Sequence, residues 1–194
     1  ADRQEATLED GGTLACSTSD KTSIFIFKTI SEPRVGNVSY FKVYAGKLSS
    51  GGELVNVETR NSERFGQIFI ANGKNRTNIN ELRAGDIGVT VKLKDSHTNN
   101  TLNTKGTDRE IEKMHFPDPR MRVAVNPPSK NDMEKLMKAL HIIEEEDPTL
   151  IVEQSKTLKQ TLLHGQGQLH LDLIKYRIEL VNNVSMEFIK PRIP

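Results

Sequence analysis

The sequence predicts two domains, an all-β unit followed by an α+β unit of βαββαβ order, and three observations predict it. Residues 21–102 are rich in β-branched and aromatic side chains, and within them Ile87–Lys94 alternates apolar and polar residues as a half-buried strand does. Turn formers punctuate the same stretch at Ser50-Gly-Gly52, Asn72-Gly73 and Ala84-Gly-Asp86. Beyond Phe116-Pro-Asp-Pro119, where two prolines in three residues bias the chain away from helix, the apolar spacing changes to a helical one.

Taken in order, residues 1–20 read as an acidic linker segment and residues 21–113 as the β domain. Its strands are expected at Ser23–Ile30, Asn37–Tyr44, Glu53–Arg60, Glu63–Ala71 and Ile87–Lys94. Short strands at this spacing fit a closed barrel or a sandwich equally. Residues 114–194 form the second domain. Met121–Val125 is a strand that ends at Pro127-Pro128. The helix after it carries Met133, Leu136, Met137, Leu140 and Ile143 on one face, with Asn131 and Glu134 as its start signal and Asp147-Pro148 as its stop. Strands at Thr149–Gln154 and Gln160–His164, a helix from about Leu169 to Asn182 and a strand at Ser185–Ile189 complete the order. That order is the ferredoxin-like split βαβ arrangement, two helices on one face of a four-stranded sheet.

At 100° per residue, the second helix places Gln168, Asp172, Lys175 and Glu179 in one narrow polar arc that should face water. Leu169, Leu173, Tyr176 and Leu180 form one apolar stripe, and Leu171, Ile174, Ile178 and Val181 form another. Two stripes predict two packing partners, the sheet and the first helix. His170 and Arg177 lie between the stripes. For His170 two roles stay open: a local hydrogen bond, or a face turned to a neighbouring domain that the Gly165-Gln-Gly167 turn lets approach.

Composition bounds the function. With 194 residues, 35% hydrophobic and 27% charged, the chain can bury one or two ordinary cores and has no disorder signature. No apolar run approaches a membrane span, and the acidic start Ala1-Asp-Arg-Gln-Glu5 is unlike a signal peptide, so a cytoplasmic protein is expected. Cys16 is the single cysteine, which excludes an internal disulfide and a thiolate zinc cluster. The net charge of +1 hides an asymmetry: residues 1–20 carry one Arg against five acids, residues 21–113 fifteen Lys and Arg against ten acids, and residues 114–194 eleven of each. A nucleic-acid contact would therefore fall on the middle segment.

Catalytic constellations are missing from the sequence. Gly165-Gln-Gly167-Gln168 has neither the lysine nor the further glycine of a phosphate cradle, and Asn72-Gly-Lys-Asn75 reads as a basic hairpin tip. Glu144-Glu-Glu-Asp147 points its acids in different directions around a helix, as a solvated helix end does, and opposes the helix dipole. His97, His115, His141, His164 and His170 show no paired ligand spacing, and no Ser-His-Asp or Cys-His arrangement has local support. The chain is expected to bind no metal and to be no enzyme by itself.

Gln160-Thr-Leu-Leu-His-Gly-Gln-Gly-Gln-Leu-His-Leu-Asp172, read with Gly36-Asn-Val-Ser-Tyr-Phe-Lys-Val-Tyr-Ala-Gly46, Ala84-Gly-Asp-Ile87 and the companion helix end at Ala139-Leu140 and Glu145-Glu-Asp-Pro148, resembles the second and third domains of elongation factor G, the ribosomal translocase. The resemblance runs from about Ser23 to the C-terminus. It implies a six-stranded translation-factor barrel followed by the ferredoxin-like domain, and a fragment whose GTPase domain, with its GTP and Mg, and two distal domains lie elsewhere in a parent protein. It implies that the barrel docks on small-subunit ribosomal RNA while the second domain relays nucleotide state during translocation. Partners are then the ribosome and the parent's own domains, without a membrane, and the fragment is expected to be monomeric.

Candidate residues follow. Arg60, Arg64, Lys74, Arg76 and Arg83 sit at expected turns or strand ends and are candidates for RNA contact. Gly165, Gly167, Gln168 and His170 are candidates for interdomain coupling. The chain departs from the family pattern at Gln168, where Glu is usual, and at His164, where Ser is usual. Those departures fit a divergent paralogue. A tetracycline-resistance ribosomal protection protein is an alternative, and a metabolite-sensing or interaction scaffold is an alternative of another class.

Overall fold

The computed structural model describes residues 5–73, 75–126, 129–155 and 158–192, with the side chains of residues 130 and 131 outside the description. Two compact units are formed, Ala1–Met114 and His115–Pro194.

The first unit contains β1 (Ala6–Thr7), β2 (Thr13–Leu14), β3 (Ser23–Glu32), β4 (Gly36–Ala45), β5 (Lys47–Ser49), β6 (Glu53–Asn56), β7 (Ser62–Arg64), β8 (Ile68–Asn72), β9 (Asn75–Ile79), β10 (Glu81–Arg83), β11 (Ile87–Val91) and β12 (Thr101–Asn103). Eight of them form one ladder in the order β7-β6-β12-β3-β4-β11-β8-β9, while β10 pairs with β5 and β1 with β2. Ile24, Ile26, Phe41, Leu54, Ile68, Leu82 and Leu102, drawn from across the ladder and from β10, join one buried cluster with Phe65. A flat sheet could not bring those side chains to one interior, so the sheet is curled into a barrel. Gly46, at φ 73°, separates β4 from β5, and an added Cβ there would lie 2.6 Å from the Thr22 backbone. Such interruptions divide the ladder into more segments than the six strands implied by the resemblance.

Three expected strands are cut short or broken, two where a side chain takes over backbone bonding and one where the backbone pairs elsewhere. Ile87–Lys94 stops at Val91, where Lys92 turns to φ 62° and the N–H groups of Lys94 and Asp95 donate to the Glu63 carboxylate instead of a neighbouring strand. Glu53–Arg60 stops at Asn56, whose side-chain oxygen accepts from the N–H of Glu58 and of Thr59 and turns the chain. Glu63–Ala71 breaks at Phe65-Gly-Gln67, where Phe65 exchanges backbone bonds with Gly51 and Gly52 while its ring is buried. The expected linker is also structured in its described part. Ala6 and Leu14 are buried with Phe25, Ala45 and Ile111, and Asp20 pairs with Arg109, so residues 5–20 lie on the barrel.

The second unit has β13 (Met121–Asn126), α1 (Lys130–Glu146), β14 (Ile151–Ser155), β15 (Gln160–Gly165), α2 (Gln168–Arg177) and β16 (Glu187–Ile189). Sheet order is β14-β15-β13-β16 with every neighbour antiparallel, which is the ferredoxin-like topology. Leu136, Leu140 and Ile143 of α1 pack on Val123, Val125 and Leu163 of the sheet. The start of α1 differs from expectation. Ser129 caps it, its hydroxyl accepting from the Asp132 N–H at 3.3 Å and donating to the Asp132 carboxylate at 2.7 Å, so the capping pair stands two residues before Asn131 and Glu134. Asp147 ends the helix as expected, its N–H reaching the Ile143 carbonyl. Beyond Arg177, α2 widens into a π-helical turn, Ile178–Asn182, closed by Asn183 at φ 51°.

Candidate functional site

The turn between β15 and α2 is built around Gly165. Its carbonyl accepts from the Arg120 N–H at 2.9 Å, and an added Cβ would meet Leu171 Cδ2 at 2.7 Å and His170 Nδ1 at 3.1 Å. The glycine lets the chain's own helix fold back over the strand end. Gly167 has open space around it and an extended backbone, and its carbonyl starts the helix by accepting from Leu171 N–H.

His170 is locked by two bonds. Nδ1 accepts the Gln166 N–H at 3.0 Å; a backbone amide can only donate, so the ring proton sits on Nε2, which donates to Asp147 Oδ2 at 2.8 Å. Asp147 Oδ1 in turn accepts the Thr149 hydroxyl at 2.6 Å and its N–H at 2.9 Å. Burial pushes the Asp147 carboxyl up, but the bonds from Thr149 and then from His170 outweigh it and hold the group below the ordinary carboxylate range. The His170 side chain is 19% exposed. It thus fastens the end of α1, the turn and the start of α2 together.

Two helical turns further on, Arg177 pairs with Glu146, a largely buried carboxylate. The acids read as a solvated helix end are therefore divided among structural tasks: Glu144 accepts the Val152 N–H at 2.7 Å, Glu146 takes Arg177, and Asp147 takes His170. The signal for this lay in the sequence, since His170 and Arg177 form the polar seam of α2 and the acids close α1. Among the described residues no group of three or more His, Cys, Asp or Glu side chains is placed to hold a metal ion.

The apolar stripes of α2 part company. Leu171, Ile174 and Ile178 are buried against α1 and the sheet. Leu169, Leu173, Tyr176 and Leu180, expected to be packed as well, are 74%, 57%, 63% and 68% exposed, and Val181 of the other stripe is exposed with them. In a two-layer unit one face of the helix serves both the sheet and the neighbouring helix, which leaves the other face outward. Gln168, beside this face, donates from Nε2 to Asp172 Oδ1 at 2.8 Å.

The barrel cations are dispersed over different strands. Arg60 at φ 60° pairs with Asp108 at 3.0 Å, Arg76 on β9 with Glu32, and Arg83 on β10 with Glu81 at 2.8 Å. Arg64 is exposed on β7, outside these pairs, and Lys74 lies outside the described residues.

Comparison with known proteins matches residues 21–105 to elongation factor G domain 2 and residues 116–190 to elongation factor G, domain III. Among solved structures, the crystal structure of a Thermus thermophilus protein superposes with a TM-score of 0.79 at 29% identity, covering 90% of this chain and 26% of that one. The chain therefore spans about a quarter of the length of this relative. On these two consecutive domain matches, the chain belongs to the elongation factor G family and carries its second and third domains.

Proposed function

We propose that this chain is the docking and relay part of a GTP-hydrolysing translation factor acting in ribosomal translocation in the cytoplasm. The barrel contributes contacts to ribosomal RNA, and the ferredoxin-like unit passes the state of a GTPase domain, which holds GTP and Mg, to distal domains of the same protein. The observation that carries the relay role is the bare stripe Leu169, Leu173, Tyr176 and Leu180, which continues directly from the Gly165–His170 turn. A row of large apolar side chains of this kind marks an interaction surface. Gly167 and Gln168 stand at its head, while Gly165 and His170 shape the turn from inside. The partner is another domain of the parent protein.

Leu173→Glu with Tyr176→Glu tests it. Both side chains are exposed, so the 194-residue chain should keep its thermal stability to within about 0.5 kcal/mol. The full-length protein carrying the pair should lose at least about tenfold in ribosome-dependent GTP turnover. Unchanged turnover in a folded variant removes the stripe from the mechanism.

A further inference from the structure

We infer that the second unit holds a binding cleft for a small amphipathic anion, at the end of the sheet away from the Gly165–His170 turn. The cleft has a volume of about 320 Å³, the lower end of the range in which small-molecule sites fall. Val125, Met133, Met137 and Ile189 give it an apolar lining, and Lys159 and Arg192 add two cations. Met133 and Ile189 are exposed although large and apolar, which leaves this lining open to an apolar ligand body. The two methionines are unbranched and adapt to the shape of what enters.

Both cations are placed by backbone features rather than by acidic partners. Lys159 is set by the turn that leads into β15, where it takes a left-handed conformation at φ 48°. Arg192 is fixed by a reciprocal clamp: its N–H donates to Gln160 Oε1 at 3.0 Å and its carbonyl accepts from Gln160 Nε2 at 3.1 Å. Among the described residues neither cation forms an ion pair. An apolar surface beside two uncompensated cations is complementary to a carboxylate, sulfonate or phosphate carried on a short hydrocarbon or aromatic body.

The probe is anilinonaphthalene sulfonate, titrated into the 194-residue chain with decanoate and decanol as competitors. The expected result is saturable one-to-one fluorescence enhancement, displaced by decanoate but at least about tenfold less effectively by decanol. Lys159→Glu with Arg192→Glu should weaken binding by about tenfold or more, the loss expected when charge-assisted contacts are removed, with the circular dichroism unchanged. Met137→Trp should block the cleft; if that variant unfolds, amide shifts at Val125, Thr161 and Ile189 on adding decanoate to the unaltered chain decide instead. Non-saturable binding, equal competition by decanol, indifference to the charge reversal, or shifts confined to other residues would each overturn the inference.

Discussion

At the scale of single residues, one buried carboxylate shapes the barrel. Glu63, 2% exposed, accepts the N–H groups of Lys94 and Asp95 at 3.0 and 2.7 Å and the Ser96 hydroxyl at 2.9 Å. Asn56 ties the same loop from its other side, donating to the Asp95 carbonyl, Ser96 and Asn100. Glu63→Gln replaces one acceptor oxygen with an amide donor facing other donors. A loss of about 1–3 kcal/mol in thermal or denaturant unfolding is expected, the cost of stranding buried polar groups; a loss under about 0.5 kcal/mol would mean the loop holds itself. Glu63 was legible only as a strand residue, because its three donors lie more than thirty positions along the chain. Asp147 supplies a pH test. Its folded pKa lies below the ordinary aspartate value of 3.8, so its contribution is complete above about pH 4 and is lost as pH falls through the folded value. The gap in melting temperature between the unaltered chain and Asp147→Asn should therefore be widest near neutrality and close below about pH 4. A gap that persists at about pH 2 would show that packing rather than charge is responsible.

At the scale of elements, regular periodicity was readable and side-chain capture of the backbone was not. The strand and helix order of the second unit, and the end of α1 at Asp147, follow from apolar spacing and an Asp-Pro pair that could be read locally. The start of α1 differs because Asn131/Glu134 and Ser129/Asp132 are both capping pairs three residues apart, and spacing along the sequence does not choose between them. For α2 the angular arrangement was right and the count of partners was wrong, since an apolar stripe shows that something packs there without saying which molecule supplies it. His170 has a role in this element distinct from that of the stripe. Removing its imidazole by His170→Ala leaves the Gln166 N–H without its acceptor and Asp147 without its ring donor. The second unit should lose about 1–3 kcal/mol, and activity of the full-length protein should fall in step with the unfolded fraction. If the variant chain keeps its melting temperature while the parent's turnover falls, His170 contacts a partner directly and the internal clamp is secondary.

At the scale of the whole molecule, the charge asymmetry of the sequence does not divide one unit from the other. The acidic excess of residues 1–20 looked separable from the basic excess of residues 21–113, yet the two belong to one unit, Ala1–Met114, where they nearly cancel. Cation positions alone then overstate the surface available to a phosphate backbone. Arg60, Arg76 and Arg83 each face a carboxylate, and a cation already neutralised by a protein acid releases fewer counterions when a phosphate replaces that acid. Among the described candidates, Arg64, exposed on β7 and outside those pairs, has the most charge to offer. In the full-length protein, Arg64→Glu should weaken ribosome binding and lower the slope of log affinity against log salt by about 0.7–0.9, the value for one lost phosphate contact. Arg60→Glu and Arg83→Glu should change that slope by less than half as much. The comparison uses one assay, ribosome affinity measured across a salt series, and equal slopes for all three variants would show that the barrel's carboxylates yield their arginines to RNA freely. A slope that Arg64→Glu leaves untouched would place β7 outside the ribosome contact altogether.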